Sequence, residues 1–228
     1  LIWFWSIFAL GLASIILIFW LITKGALGYL PPLDELQNPK NTFATEVISS
    51  DMQLLGRYYR QENRVGVNYE DISPNMINAL IATEDARFYN HTGIDFKSLF
   101  RAIIKMGRAG GGSTITQQLA KQLWSPRANN IFERALQKPI EWVIATKLER
   151  LYSKEEILTM YLNQFDFLYN AVGIKSAAQV YFSTTPAELK MEEAAMLVGM
   201  CKNPSLYNPR RRPENALNRR NTVLNQMC

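Results

Sequence analysis

The run Glu84-Asp85-Ala86-Arg87-Phe88-Tyr89-Asn90-His91-Thr92-Gly93 stands at the end of an apolar stripe, Met76, Ile77, Leu80 and Ile81, whose spacing is that of a helix. It gathers acidic, basic, aromatic and imidazole side chains within ten residues. Solvated charges at a helix C-terminus account for a bare Glu-Asp pair. A carboxylate at the end of an apolar helix is also partly shielded from water, which is the setting of a general base. A second irregular run follows, Gly110-Gly111-Gly112-Ser113-Thr114-Ile115-Thr116-Gln117-Gln118-Leu119-Ala120-Lys121. Its glycines lead through a Ser/Thr turn into a helix, where backbone N–H groups and Lys121 suit phosphate or sugar oxygens. It is not a P-loop, because the Lys-Ser/Thr pair and the preceding strand are missing. A glycine-rich linker is the plain alternative.

Outward from these runs, the chain from Ser73 onward reads as helices. Ser73-Pro74 and Ser125-Pro126 each pair an N-cap with a first-turn proline. Ser153-Lys154-Glu155-Glu156 and Thr185-Pro186-Ala187-Glu188 fit the capping box. Ile157, Leu158, Tyr161 and Leu162 share a face after the first box, and Ala194, Leu197, Val198 and Cys201 after the second. Cys201 accordingly reads as core. Strand-like signals are confined to Phe43–Ile48, Leu54–Tyr59 and Val65–Tyr69, a small antiparallel ribbon. The expected fold class is mostly α with a small β element.

Residues 1–23 carry no charged side chain and end at Lys24, with Trp3, Trp5 and Trp20 towards the two ends. A helix of that length spans about 34 Å, enough to cross a hydrocarbon core of roughly 30 Å. The segment reads as an uncleaved membrane anchor, since a signal peptide has a shorter apolar region. The positive-inside rule does not orient it, because the flank before the span is missing. Residues 24–40, with two glycines and three prolines, read as a juxtamembrane linker. The net charge of +5 resides in the last stretch, where Lys202, Arg210, Arg211, Arg212, Arg219 and Arg220 face only Glu214. Arg210–Arg212 form a solvated or lipid-facing strip rather than a substrate clamp, and no base-reading module supports nucleic acid as a partner. Two cysteines and one histidine exclude a disulfide scaffold and a Cys/His zinc site, while a carboxylate-held divalent cation stays open.

Taken together, the two irregular runs resemble the first two signature motifs of the family 51 glycosyltransferases. These are the peptidoglycan polymerase domains of class A penicillin-binding proteins and of monofunctional transglycosylases. Glu84, Asp85, Phe88, His91 and Gly93 match the motif Glu-Asp-x-x-Phe-x-x-His-x-Gly at every fixed position. Gly111 to Lys121 match Gly-x-Ser-Thr-x-Thr-Gln-Gln-x-x-Lys-Asn, with Gln122 in the asparagine's place. The third motif, Arg-Lys-x-x-Glu, corresponds to Gln137-Lys138-Pro139-Ile140-Glu141, so its arginine is lost. The fourth corresponds to Lys154 through Asn163, with Thr159 where glutamate is usual, and the fifth to Arg219-Arg220-Asn221-Thr222-Val223-Leu224.

The resemblance implies a lysozyme-like helical domain over residues 41–228, behind one transmembrane helix and a linker. It implies polymerisation of lipid II into β-1,4-linked glycan, with release of polyprenyl pyrophosphate. The place implied is the bacterial cytoplasmic membrane, single-pass, with the catalytic domain on the outer or periplasmic face. Glu84 resembles the general base acting on the acceptor 4-hydroxyl, and Glu141 the second glutamate, at the leaving pyrophosphate. Lys121 and Lys138 are expected to neutralise that pyrophosphate, with Arg134, one helical turn before Gln137, as a substitute for the lost arginine. Ser113, Thr114, Gln117 and Gln118 are expected to line sugar subsites, and Asp85, Phe88 and His91 to complete the substrate-binding set. A lone histidine in a turn, however, more often orients its loop than transfers a proton. The Trp124, Ile131 and Phe132 region suits either a dip into lipid or a packed surface loop. No protein-held metal site is expected, and a divalent cation, Mg or Mn, is the one cofactor left open. The partners implied are lipid II, the growing glycan, the bilayer and other cell-wall synthesis proteins. The alternatives are a lysozyme-like enzyme that cleaves glycan and a membrane scaffold whose site has decayed.

Overall fold

Helix α1 (Ile2–Thr23) presents apolar side chains almost all round, and only Ile22 on it is buried. It is long and apolar enough to cross a membrane. The computed structural model describes residues 2–39, 45–51, 54–58, 65–104, 111–125 and 131–228. After α1 the chain turns into a five-residue helix, α2 (Leu33–Gln37), whose Leu36 enters the hydrophobic core. The expected linker is therefore docked along part of its length.

Two strands, β1 (Thr45–Ile48) and β2 (Leu54–Tyr58), pair antiparallel and make the small β element. Phe43 and Tyr59 lie outside the described residues. The third expected strand does not form. The side-chain amide of Asn163 donates to the carbonyl of Val67 and accepts from its N–H, which satisfies that backbone without a strand partner. A 3₁₀ turn at Tyr69–Asp71, capped by Asn68, follows at once.

The rest is helical: α3 (Pro74–Glu84), α4 (Phe96–Ile104), α5 (Ile115–Trp124), α6 (Ile131–Leu151), α7 (Lys154–Gln164), α8 (Ile174–Phe182), α9 (Met191–Lys202) and α10 (Pro213–Met227). Ser73 caps α3 through the N–H of Asn75, and Ser153 with Glu156 completes a capping box on α7, as the residue types direct. The second expected box is displaced. Thr185 starts only a 3₁₀ turn over Pro186–Glu188, and α9 begins later, after Lys190. Its stripe of Ala194, Leu197, Val198 and Cys201 is nevertheless buried. Ser125 proves to be the C-cap of α5 rather than the N-cap of a following helix, and Pro126 lies outside the described residues. Helices α3, α9 and α10 pack on one another, and α5 packs against both α6 and α7. One continuous core joins the two groups.

Candidate active site

Glu84 is the last residue of α3, and the chain leaves the helix through Asp85. The loop that follows is fastened to α5 and α6. The Asp85 carboxylate accepts from His91 Nε2 at 3.0 and 3.1 Å and from the Ile115 N–H at 3.0 Å. The Gly93 N–H donates to His91 Nδ1, which leaves Nε2 as the nitrogen that donates to Asp85. The Gly93 carbonyl in turn accepts from the Thr114 hydroxyl at 2.7 Å and from Gln117 Nε2 at 3.1 Å. Gly93 itself has φ +93°, and a Cβ there would lie 2.9 Å from the Ala145 backbone on α6. No other residue fits that contact. Lys154 closes the loop from outside, donating to the His91 carbonyl and to Glu149, with its ammonium 4.2 Å from the Phe88 ring centre.

These contacts sort the expected residues. Asp85, His91, Thr114 and Gln117 brace the first-motif loop against the second-motif helix, and Phe88 is wholly buried beneath them. Glu84, Asp85, Ser113, Thr114 and Gln118 line one cleft of about 480 Å³. Inside it, Gln118 Nε2 donates to Glu84 Oε2 at 2.9 Å, and Arg219 Nη2 lies 3.8 Å from Glu84 Oε1. Glu141, only 1% exposed, accepts from Lys138 Nζ at 2.7 Å, and the same ammonium donates to Ser113 Oγ at 3.0 Å. Ser113 is thus the link between the Glu84 cleft and the Lys138–Glu141 pair, which does not line that cleft. Lys121 is exposed on α5, its ammonium making no hydrogen bond or ion pair among the described residues. Arg134 lies on α6, its side chain outside what is described.

Arg87, Arg101, Lys202 and Arg219 also face the cleft, a cationic lining that spacing alone did not reveal. Arg219 stood in the fifth motif without a role, and only the packing of α10 on α3 shows its carboxylate partner. Burial pushes the Asp95 carboxyl up, but hydrogen bonds from the Ser98 hydroxyl and N–H, the Arg87 charge and the Lys97 N–H together hold it below the ordinary range. Trp124, a candidate for lipid contact, is buried, with Nε1 donating to Glu35 at 3.0 Å. Ile131 is exposed, and the Phe132 side chain lies outside what is described. Beside the cleft, Phe100 and Ile104 of α4 line an open apolar groove of about 520 Å³, with Arg87 and Arg101 shared between the two. Among the described residues no group of three His, Cys, Asp or Glu side chains suited to a metal occurs, and the Glu141 carboxylate is paired with Lys138.

A helix-end carboxylate, a hydroxyl- and amide-bearing turn and a ring of cations thus share one cleft on a mostly helical domain. Residues 51–228 match the sequence model of the transglycosylase family, and the chain belongs to that family. Within that family it resembles the transglycosylase domains of penicillin-binding proteins. The chain is 41% identical to penicillin-binding protein 2a of Streptococcus pneumoniae over 195 residues, 86% of this chain and 26% of that protein. It is 44% identical over 189 residues to penicillin-binding protein 1A of Aquifex aeolicus, covering 81% of this chain and 25% of the relative. For penicillin-binding protein 1A of Escherichia coli K12 the identity is 40% over 204 residues, 87% of this chain and 23% of the relative. The chain thus spans about a quarter of the length of these relatives.

Proposed function

We propose that this domain polymerises lipid II at the outer face of the bacterial cytoplasmic membrane, with α1 as the anchor. The observation that carries this reading is the setting of Glu84 on the cleft wall, one oxygen held by Gln118 and the other towards Arg219, beside the Ser113-Thr114 turn. Glu84 takes the proton of the acceptor sugar's 4-hydroxyl. The oxygen so released attacks the anomeric carbon of the growing strand, the bond to the pyrophosphate oxygen breaks, and the new linkage is β-1,4 by inversion. Lys138, already bridging Ser113 and Glu141, supplies positive charge for the departing pyrophosphate, where electrostatic stabilisation is commonly the largest contribution. The apolar groove of Phe100 and Ile104 suits the polyprenyl chain.

The test is polymerisation of labelled lipid II. Glu84→Gln preserves size but accepts no proton, so turnover should fall by at least about 100-fold, the lower end for a positioned general base. Thermal unfolding of the same sample should stay close to wild type. Near wild-type turnover would sink the base assignment. Product analysis separates synthesis, which releases polyprenyl pyrophosphate, from cleavage, which shortens glycan. Protease added to spheroplasts should digest the domain, and protection would reverse its orientation.

A further inference from the structure

Tyr161 lies on α7, wholly buried, and is separated from the cleft carboxylate by a single side chain. Its hydroxyl donates to Gln118 Oε1 at 3.1 Å, and Gln118 Nε2 donates to Glu84 Oε2 at 2.9 Å. A side-chain amide has a donor end and an acceptor end of nearly the same shape, so its partners decide which way it faces. With the phenol donating at one end, the amide presents N–H to Glu84. Turned over, it would set its oxygen against the carboxylate. Cys201 Sγ–H points to the Leu197 carbonyl, and its sulfur is a second hydrogen-bond partner of the phenol beside the Gln118 oxygen. Burial, together with the nearby Cys201 and Glu84, pushes the phenol well above its ordinary range, so it remains a donor wherever the protein is folded.

We propose that Tyr161 is a positioning residue for glycosyl transfer: through Gln118 it sets the hydrogen bond that Glu84 receives and aims the carboxylate into the cleft. The proposal rests on the reading of Glu84 as the base. Glu84 is faced by Gln118 from α5, by Arg219 from α10 and, deeper, by Tyr161 from α7 and Cys201 from α9. Asp85 beside it is engaged by His91 and the Ile115 N–H, while Arg87, Arg101, Lys202 and Asp95 stand further along the cleft. Arg219 Nη2, 3.8 Å from Glu84 Oε1, is unchanged when the phenol oxygen is removed.

The experiment is Tyr161→Phe in lipid II polymerisation, with kcat and KM measured across pH and thermal unfolding on the same samples. The ring and its packing are kept. Loss of orientation worth about one hydrogen bond should lower kcat about tenfold with KM little changed. The acidic limb of kcat should move to higher pH, because a donor to the charged form of the carboxylate is weakened. Introduced into Glu84→Gln, the same change should leave the residual rate unaltered. An unmoved limb, or an equal further loss in Glu84→Gln, would make Tyr161 a packing residue and overturn the proposal. A failed base assignment is distinct, since Glu84→Gln alone would then polymerise normally. If Tyr161→Phe unfolds at the assay temperature, Gln118→Met breaks the same relay at its middle and must move the limb in the same direction. If it does not, the relay is not used.

Discussion

At Gly93 the fold leaves no room for a side chain, and the consequence reaches the cleft. Its carbonyl ties down Thr114 and Gln117, its N–H donates to His91 Nδ1, and a Cβ on it would run into the Ala145 backbone. Gly93→Ala should cost about 1–2 kcal/mol for the left-handed backbone alone, and more from the contact with α6. Denaturant unfolding measures the loss, and polymerisation should fall with it because the loop carrying Asp85 shifts. His91 and Asp85 illustrate what the sequence made legible at this scale. That they belong to one motif could be read from spacing, as could the habit of a lone histidine to orient a turn. That the pair also receives the Ile115 N–H depends on a contact across 30 residues, which no local pattern announces. Arg219 beside Glu84 was hidden for the same reason.

Among the elements, α4 shows how a loop residue holds a helix in place. The Asp95 carboxylate accepts from the N–H groups of Lys97 and Ser98 and from the Ser98 hydroxyl, ahead of a helix that presents Phe96, Phe100 and Ile104 to the outside. Asp95→Ala should destabilise the domain by about 0.5–2 kcal/mol at neutral pH. Since the folded carboxyl is held below its ordinary range, its contribution is complete above about pH 4, near the unfolded value, and fades as pH falls through the lower folded value. Unfolding curves at pH 7 and pH 3 should therefore show wild type and variant converging in acid. Helix ends were readable where the capping residue directly precedes its helix, as at Ser73 and Ser153. They were misread where a proline-led turn intervenes, as at Thr185, or where a serine closes the preceding helix, as at Ser125. The third strand failed because Asn163, 96 residues from Val67, takes over its hydrogen bonds.

Over the whole molecule, the segment between the apolar helix and the domain acts as a brace. Phe19 of α1 stacks on Trp142, next to Glu141, at 6.4 Å between ring centres. Glu35 accepts from Trp124, and Tyr152 donates to the carbonyls of Leu36 and Gln37. Leu36→Ala should cost about 2–5 kcal/mol, as for a leucine buried in a core, whereas a passive tether would make it silent. Thermal or denaturant unfolding decides between them. Composition identified the segment as a connection, because two glycines and three prolines break any helical period in it, but one leucine and one acid among them suffice to dock it. The interior contains a further consequence in Cys201, which burial and the nearby Glu84 charge hold firmly as a thiol. A thiol reagent reacts with the thiolate, so Cys201 should be modified only when α9 parts from α3, while exposed Cys228 reacts at once. The chain thus carries its own clock, with labelling at Cys201 timing how often the heart of the domain opens.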